Sequence, residues 1–136
     1  MQRGFTLIEI MVVVVIIGIL GALIIPNVVG RDDQARVTAV KNDIRAVANA
    51  LDMYKLDNFQ YPSTDQGLEA LVTKPSGFPE PKNYNPEGYL KKIPVDPWGQ
   101  PLVYINTGGK FELYSLGADA QEGGEGVNAD VAYDKL

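Results

Sequence analysis

The sequence predicts an α+β fold, in which one long amino-terminal helix packs on a small domain of short helices and a small antiparallel β-sheet. Three observations predict it. An apolar run extends from Gly4 to Val29, an amphipathic helical pattern follows from Arg31 to Tyr54, and two β-rich segments separated by glycines lie between Leu102 and Ser115. An acidic, glycine-rich loop from Leu116 onward completes the chain.

The apolar run predicts a membrane anchor. From Leu7 to Ile25, about 19 residues contain a single charge, and a helix of that length crosses a hydrocarbon core of roughly 30 Å. Its 14 Leu, Ile and Val side chains, at roughly 0.3–0.6 kcal/mol each, outweigh one carboxylate at about 3 kcal/mol. A cleaved secretory signal would be shorter, and Pro26-Asn27 stands where its small-residue site would be. A buried soluble helix is the other alternative, but no other segment is apolar enough to surround it.

The orientation of this anchor follows from its flanking charges. Arg3 and the terminal amine are the positive charges that precede the span, so we expect a cytoplasmic amino terminus and an exported remainder. In a Gram-negative cell the remainder would lie in the periplasm. About 105 residues remain from Gly30 onward, which suffices for one small domain.

Composition excludes several classes of function. The 136 residues include no Cys and no His, so the domain has no disulfide and lacks the usual general base and the commonest zinc ligand. Ser63, Ser76 and Ser115 are therefore ordinary hydroxyls, and we expect no enzymatic activity, which disfavours an anchored hydrolase. The net charge is -5 and clusters of Lys and Arg are missing, so nucleic acid is not an expected partner.

The segment after the span keeps a helical period but becomes amphipathic. Charged residues lie mostly off one apolar stripe, which we expect to pack on the globular domain: Val37, Val40, Ile44, Val47, Ala48, Leu51 and Tyr54. Pro26 leaves two interpretations open, a kink within a continuing helix or a helix end. If the helix continues, Phe5 to Tyr54 forms one element of about 50 residues.

The remaining elements are short. Asn58 to Pro62 predicts a turn, after which Ser63 or Thr64 caps a short helix that ends near Val72. Pro75 to Pro86 predicts an irregular connection.

From Gly88 the residue types are those of short strands. Leu102–Asn106 and Lys110–Ser115 predict a hairpin across Thr107-Gly108-Gly109. Asp96-Pro97-Trp98-Gly99 predicts a turn that anchors Trp98 in the core, with a binding role for this stretch as the alternative.

The acidic excess of the chain lies at its end. Six of the 17 acidic side chains, but only one basic side chain, fall in residues 111–136. Oxygen ligands between glycines, whose carbonyls can turn inward, suit calcium better than the smaller and stricter magnesium. The candidate ligands are the Asp119 and Asp130 carboxylates, the Leu116 and Val127 backbone carbonyls, and the Asn128 amide. A disordered acidic tail is the alternative.

This loop is not an EF-hand. Asp119 to Asp130 spans twelve positions, but the third is Gln121, the fifth is Gly123, and no second helix is evident.

The residues RGFTLIEIMVVVVIIGIL resemble the leader and amino-terminal segment of type IV pilins and pseudopilins. The resemblance implies that a membrane peptidase cuts after Gly4 and methylates the new amine of Phe5. It also implies that Glu9 is the glutamate these proteins use in assembly, and that the helix near Pro26 unwinds when the filament forms.

Glu9 has a physical role independent of the resemblance. An ionisable side chain in an apolar span is expensive and usually has a partner. Cleavage after Gly4 would free the Phe5 amine, which Glu9 of the same or an adjacent subunit could neutralise, setting register between subunits. The alternative is a Glu9 that sits among lipid headgroups.

Three further stretches narrow the resemblance to the major pseudopilin family of the type II secretion system. They are LDMYKLDNFQYPSTDQGLEALV, GYLKKIPVDPWGQPLVY and LYSLGADAQEGGEG. The implied protein is the major subunit of a periplasmic filament that drives export of folded proteins across the outer membrane. The expected partition is a leader at 1–4, a transmembrane and assembly helix at 5–30, and a periplasmic pilin-like domain at 31–136.

The resemblance also implies partners and a metal. The partners are copies of the chain, minor pseudopilins, the prepilin peptidase, the inner-membrane assembly platform and, before assembly, the inner membrane itself. The family's calcium site uses the aspartate of SLGAD and one near the chain end, which match Asp119 and Asp130. Asn128 and the ending VAYDKL depart from the family's pattern, which leaves the ligand set open.

Two alternatives to this function remain. A type IV pilus major pilin would normally carry a carboxyl-terminal disulfide, which a chain without Cys cannot form. A monomeric, membrane-anchored calcium-binding module would explain the span and the loop, but it would leave Glu9 and the Gly4–Phe5 junction without a role.

Overall fold

One α-helix, α1, runs from Leu7 to Asn58. The computed structural model describes residues 3–136, and the side chains of residues 24–30 lie outside the described part. The helix therefore does not end at Pro26, which confirms the interpretation of a continuing helix. The predicted role of Pro26 in assembly falls on a side chain outside the described part. The chain divides into two units, Met1–Ala35 and Arg36–Leu136.

The core of the second unit is built on one face of α1. All members of the predicted stripe are buried except Val37, which is partly buried and packs against the core. They meet apolar side chains from later in the chain, namely Leu68, Ala70, Leu71, Leu102, Tyr104, Leu113 and Val131. Burying a side chain the size of Leu or Ile contributes about 1.5–3 kcal/mol, so this face holds the domain together.

The carboxyl-terminal end of α1 is fixed by a buried amide. The Nδ2 group of Asn58 donates to the Tyr54 carbonyl (3.0 Å) and to the Tyr89 hydroxyl (3.2 Å), and its Oδ1 accepts from the backbone N of Asn83 (2.9 Å). Phe59 follows with φ of 68°, an uncommon conformation for an aromatic residue, and its N–H donates to the Lys55 carbonyl. The predicted turn after Asn58 is thus tied to the later irregular segment.

The predicted short helix after Ser63 is only partly formed. Ser63 and Gln66 exchange two hydrogen bonds, one from the Gln66 N–H to Ser63 Oγ (3.1 Å) and one from the Ser63 N–H to Gln66 Oε1 (2.9 Å). The exchange has the hydrogen-bond pattern of a capping box, although the sequence predicted only a cap at Ser63 or Thr64. Gly67 then takes φ of 65°, which interrupts the helix, and only a 3-10 turn at Leu68–Leu71 follows.

A three-stranded antiparallel sheet covers the other side of the core. Its strands are β1 (Val103–Thr107), β2 (Lys110–Ser115) and β3 (Val131–Ala132), in the order β1-β2-β3. The predicted hairpin is confirmed, with Thr107 paired to Lys110 across the two glycines. The strand signals seen from Gly88 onward yield only a bridge between Val95 and Pro101 before β1.

Aromatic side chains join the chain end to this sheet. The ring of Tyr133, in a 3-10 turn at Tyr133–Lys135, stacks on Phe111 at 5.4 Å, and Phe111 in turn meets the edge of Tyr61 at 4.9 Å.

Within the described residues, no helix combines the length and apolarity needed to cross a membrane. A further 3-10 turn lies at Gly126–Asn128. The order of helix, short turns and strands confirms the α+β class predicted from the sequence.

Candidate functional site

The predicted processing site lies in exposed, non-helical chain. Residues 3–6 precede α1, and the Phe5 side chain is 79% exposed. Thr6 caps the helix, because its Oγ1 accepts from the Glu9 N–H (3.2 Å) and its carbonyl accepts from the Ile10 N–H (3.3 Å). The Gly4–Phe5 peptide bond therefore lies just outside the cap, in exposed, non-helical chain.

Glu9 occupies the first turn of α1 with its side chain exposed. A carboxylate at this place interacts favourably with the positive end of the helix dipole. Sequence reasoning missed the cap, although Thr6-Leu7-Ile8-Glu9 has the spacing of a capping box and could have revealed it. The predicted pairing of Glu9 with a freed Phe5 amine stays a prediction.

The amino-terminal part of α1 exposes apolar side chains on all sides. Large apolar residues from Phe5 to Leu23 are each at least half exposed: Phe5, Leu7, Ile8, Ile10, Met11, Val12, Val13, Val14, Val15, Ile16, Ile17, Ile19, Leu20 and Leu23. A helix that is apolar all round is stable only where lipid or other helices cover it. This surface is therefore the candidate assembly surface.

The acidic loop between β2 and β3 is closed on itself by hydrogen bonds. The Ala118 N–H donates to the Val127 carbonyl at 2.8 Å, and the Gly123 N–H donates to Asp130 Oδ2 at 3.1 Å. These bonds join the two ends of the loop.

Two glycines allow the backbone of this loop to pack tightly. A Cβ at Gly117, where φ is 75°, would lie 2.8 Å from the Asn128 and Ala129 carbonyl oxygens. A Cβ at Gly124, where φ is 98°, would lie 2.5 Å from the Asn128 oxygen. The Asn128 carbonyl thus lies between Gly117 and Gly124, two positions at which a side chain would force the backbone to shift.

The predicted ligands differ in how many hydrogen bonds their oxygens already accept. Asp130 Oδ1 is buried with no hydrogen-bond partner among the described residues, whereas Oδ2 accepts from Gly123. Asp119 is exposed and its Oδ1 accepts from the Gln121 N–H (3.1 Å). The Val127 carbonyl accepts one bond and keeps a second lone pair. A buried carboxylate oxygen without a donor is costly, and a cation would remove that cost.

The electrostatic surroundings favour a cation in the same region. Burial raises the pKa of Tyr114, and the carboxylates of Glu122, Glu112 and Asp130 raise it further. Among the residues that the structure describes, no three His, Cys, Asp or Glu side chains form a metal-binding group. A metal held here would therefore have to use backbone carbonyls beside the carboxylates, which suits calcium.

Sequence reasoning missed the buried polar group beneath this loop. Asp96, at the start of the predicted turn, is buried and accepts a hydrogen bond from the Ser115 hydroxyl at 3.0 Å. The predicted turn itself is present, since the Gly99 N–H donates to the Asp96 carbonyl, and Trp98 packs against the core.

Three features together define a subunit of the pilin-like class. They are a capped amino-terminal helix, the exposed apolar part of that helix behind a Gly-Phe junction, and a small sheet with a closed loop. Family comparisons agree. The chain matches the prokaryotic N-terminal methylation motif over residues 1–25 and the type II secretion system protein G family over residues 27–134.

Individual relatives are similar over nearly their whole length. The type II secretion system core protein G of Pseudomonas aeruginosa is 67% identical over 96% of this chain and 93% of its own. That of Vibrio cholerae is 56% identical over 96% and 90%. The crystal structure of the major pseudopilin from the type 2 secretion system of enterohaemorrhagic Escherichia coli superposes with a TM-score of 0.70, at 41% identity over 82% of this chain and 96% of that one. The chain belongs to the protein G family of the type II secretion system.

The glycine at the start of the loop provides a stability test. Gly117→Ala should lower the free energy of unfolding by about 2–4 kcal/mol, because alanine pays for the left-handed φ and must also displace the backbone of residues 128–129. Gly123→Ala is the matched control: its φ is 82° but a Cβ there meets nothing within 4 Å, so about 1 kcal/mol is expected. Urea unfolding of the detergent-solubilised chain measures both, and equal losses would contradict the close approach.

Proposed function

We propose that this chain is the repeating subunit of the type II secretion pseudopilus, a periplasmic filament that drives export of folded proteins across the outer membrane. The observation that carries this proposal is the exposed apolar part of α1, which directly follows an exposed Gly4–Phe5 junction. Membership of the protein G family supports it. The subunit works by packing and carries out no catalysis.

Before assembly, the apolar part of α1 would anchor the chain once across the inner membrane. The amino terminus would be cytoplasmic and the domain periplasmic, following the position of Arg3. The prepilin peptidase would cut after Gly4 and methylate Phe5. The inner-membrane assembly platform would then extract the subunit into a homopolymer, with minor pseudopilins as further partners.

Removal of the subunit from lipid requires another apolar environment for α1. Neighbouring copies of the same helix supply it, since lipid tails and apolar side chains are similar environments and close packing then decides the association. Glu9 would pair with the Phe5 amine of the same or an adjacent copy, and this pair would set the register of the filament.

Calcium would stabilise the exported domain, which has no Cys to form a disulfide. The residues that would hold it are Asp119, Asp130 and Asn128, together with the Leu116 and Val127 carbonyls. The orphaned Asp130 Oδ1 supports this assignment. Bound calcium would supply a positive charge that neutralises the loop, and β3 follows Asp130 directly, so the last strand would be held in place.

The amino terminus of the membrane-extracted chain tests the processing step. In cells with the prepilin peptidase, mass spectrometry should find a chain that begins at methylated Phe5. In cells without the peptidase, or in a Gly4→Val variant, the chain should begin at Met1. An intact Met1 in the presence of the peptidase, or a cut after residue 26, would contradict the proposal.

Assembly should depend on the Glu9 carboxylate. Glu9→Gln should reduce the filament fraction, measured by cross-linking and shearing, at least about tenfold, because removing one member of a buried charge pair costs a few kcal/mol. Asp32→Asn is the matched control, since it removes an exposed carboxylate from the same helix. Normal assembly of Glu9→Gln would show that Glu9 sits among headgroups instead.

Calcium should raise the melting temperature of the detergent-solubilised full chain. At 100 times Kd the expected gain is about 2.7 kcal/mol, or about 10 °C for a domain of this size. Chelator should abolish the gain, and so should Asp130→Asn, whereas Asp134→Asn, in the exposed 3-10 turn at the chain end, should retain it. A melting temperature that is indifferent to calcium and chelator would refute the metal assignment.

A further inference from the structure

Asp96 is a carboxylate in the interior of the domain, with 2% of its surface exposed. Its Oδ1 accepts from the N–H groups of Trp98 (3.1 Å) and Gln100 (2.8 Å), while its own N–H donates to the Gln100 carbonyl (2.9 Å). These bonds fix the turn from 96 to 100 with one carboxylate oxygen. The second oxygen, Oδ2, is left for a partner outside the turn.

That partner is Ser115, the last residue of β2, which is fully buried. The Ser115 hydroxyl donates to Asp96 Oδ2 at 3.0 Å, and Ser115 Oγ accepts from the Gly117 N–H at 3.2 Å. The direction of these two hydrogen bonds is fixed, because a carboxylate only accepts and a backbone N–H only donates. A hydroxyl polarised by a buried carboxylate is also a better acceptor for the next donor.

The Gly117 N–H belongs to the same peptide unit as the Leu116 carbonyl. A trans peptide is planar, and its N–H and C=O point in opposite directions. Since the N–H of this unit points to Ser115 Oγ, the Leu116 carbonyl must point away from Ser115. The Asp96–Ser115 pair therefore sets the direction of a backbone oxygen that is one of the candidate calcium ligands.

The same peptide lies where the two ends of the loop meet. Gly117 approaches the carbonyls of Asn128 and Ala129, and the next N–H, that of Ala118, bonds the Val127 carbonyl. A rotation of the Leu116–Gly117 peptide would disturb these contacts as well.

We propose that Asp96 and Ser115 are positioning residues for the carboxyl-terminal loop: they lock the Leu116–Gly117 peptide, keep the loop closed without metal, and thereby set its calcium affinity. The affinity part rests on the proposed calcium site, whereas loop closure does not. If the pair only anchored the turn from 96 to 100 on β2, substitutions in the pair would change the stability of the domain but neither loop closure nor calcium affinity.

The variants separate these roles. Ser115→Ala removes both bonds of the hydroxyl. Asp96→Asn keeps an acceptor for the turn but leaves the Ser115 hydroxyl without its carboxylate. Tyr104→Phe is the matched control, because it also deletes a buried hydroxyl, which donates to the Pro62 carbonyl at 2.6 Å and does not touch the loop.

Two measurements on the detergent-solubilised full chain apply to each variant. The first is amide hydrogen exchange of residues 116–131 in chelator, and the second is the calcium Kd by titration. Ser115→Ala should speed exchange at the loop and weaken calcium at least about tenfold, as losing the partner of a metal ligand typically does. Asp96→Asn should shift both in the same direction by less, and Tyr104→Phe should lower stability without moving either.

The outcomes distinguish the positioning role from the calcium assignment. If Ser115→Ala and Tyr104→Phe give the same loop exchange and the same Kd, the pair only anchors the turn, and the positioning role is wrong. If the unmodified chain binds no calcium while Ser115→Ala still speeds loop exchange, the calcium assignment fails and loop positioning stands. If the unmodified chain binds calcium and Ser115→Ala binds it equally, positioning fails and the calcium assignment stands.

Discussion

The fold depends on the burial of one face of α1. The sheet has three antiparallel strands, one of them only two residues long, and the chain has no Cys for a disulfide, so the domain relies on packing of the sheet against the helix. Val40, Ile44, Val47 and Leu51 are completely buried, and the rest of the core packs against them or their neighbours on the same face. Each such side chain contributes about 1.5–3 kcal/mol, which is large beside a typical net stability of about 5–15 kcal/mol.

The same helix serves two environments because its side-chain pattern changes along its length. Before residue 24 its apolar side chains are exposed all round, whereas after Arg36 most of the large ones lie buried on the face that the domain covers, with Met53 and Leu56 left exposed. A segment of the first kind needs lipid or other helices, and one of the second kind needs only its own domain. In the proposed assembly, the apolar part of this helix would therefore exchange lipid for neighbouring helices, while the core of the domain rests on the other part.

The carboxyl-terminal loop is held by polar rather than apolar contacts. Its closure combines close backbone approach at Gly117 and Gly124 with hydrogen bonds that begin at the buried Asp96. The stacking of Tyr133 on Phe111 then ties the chain end to the sheet. Repulsion among the acidic side chains opposes this closure, so a cation at the orphaned Asp130 oxygen would strengthen it.

The sequence by itself determined the features that depend on residues near one another in the chain. The apolar run, the stripe from Val37 to Tyr54, the hairpin across Gly108-Gly109 and the Gly4–Phe5 junction are all readable as local patterns, and the family match agrees with them. Only the tertiary structure decided which polar groups are buried and what they bond. Asp96 and Ser115 are 19 residues apart, and Asn58 and Tyr89 are 31 apart, so no local period reveals either pair. The helix expected after Ser63 also shrank to single turns, because Gly67 takes a left-handed conformation where the chain turns to place Leu68 and Leu71 in the core.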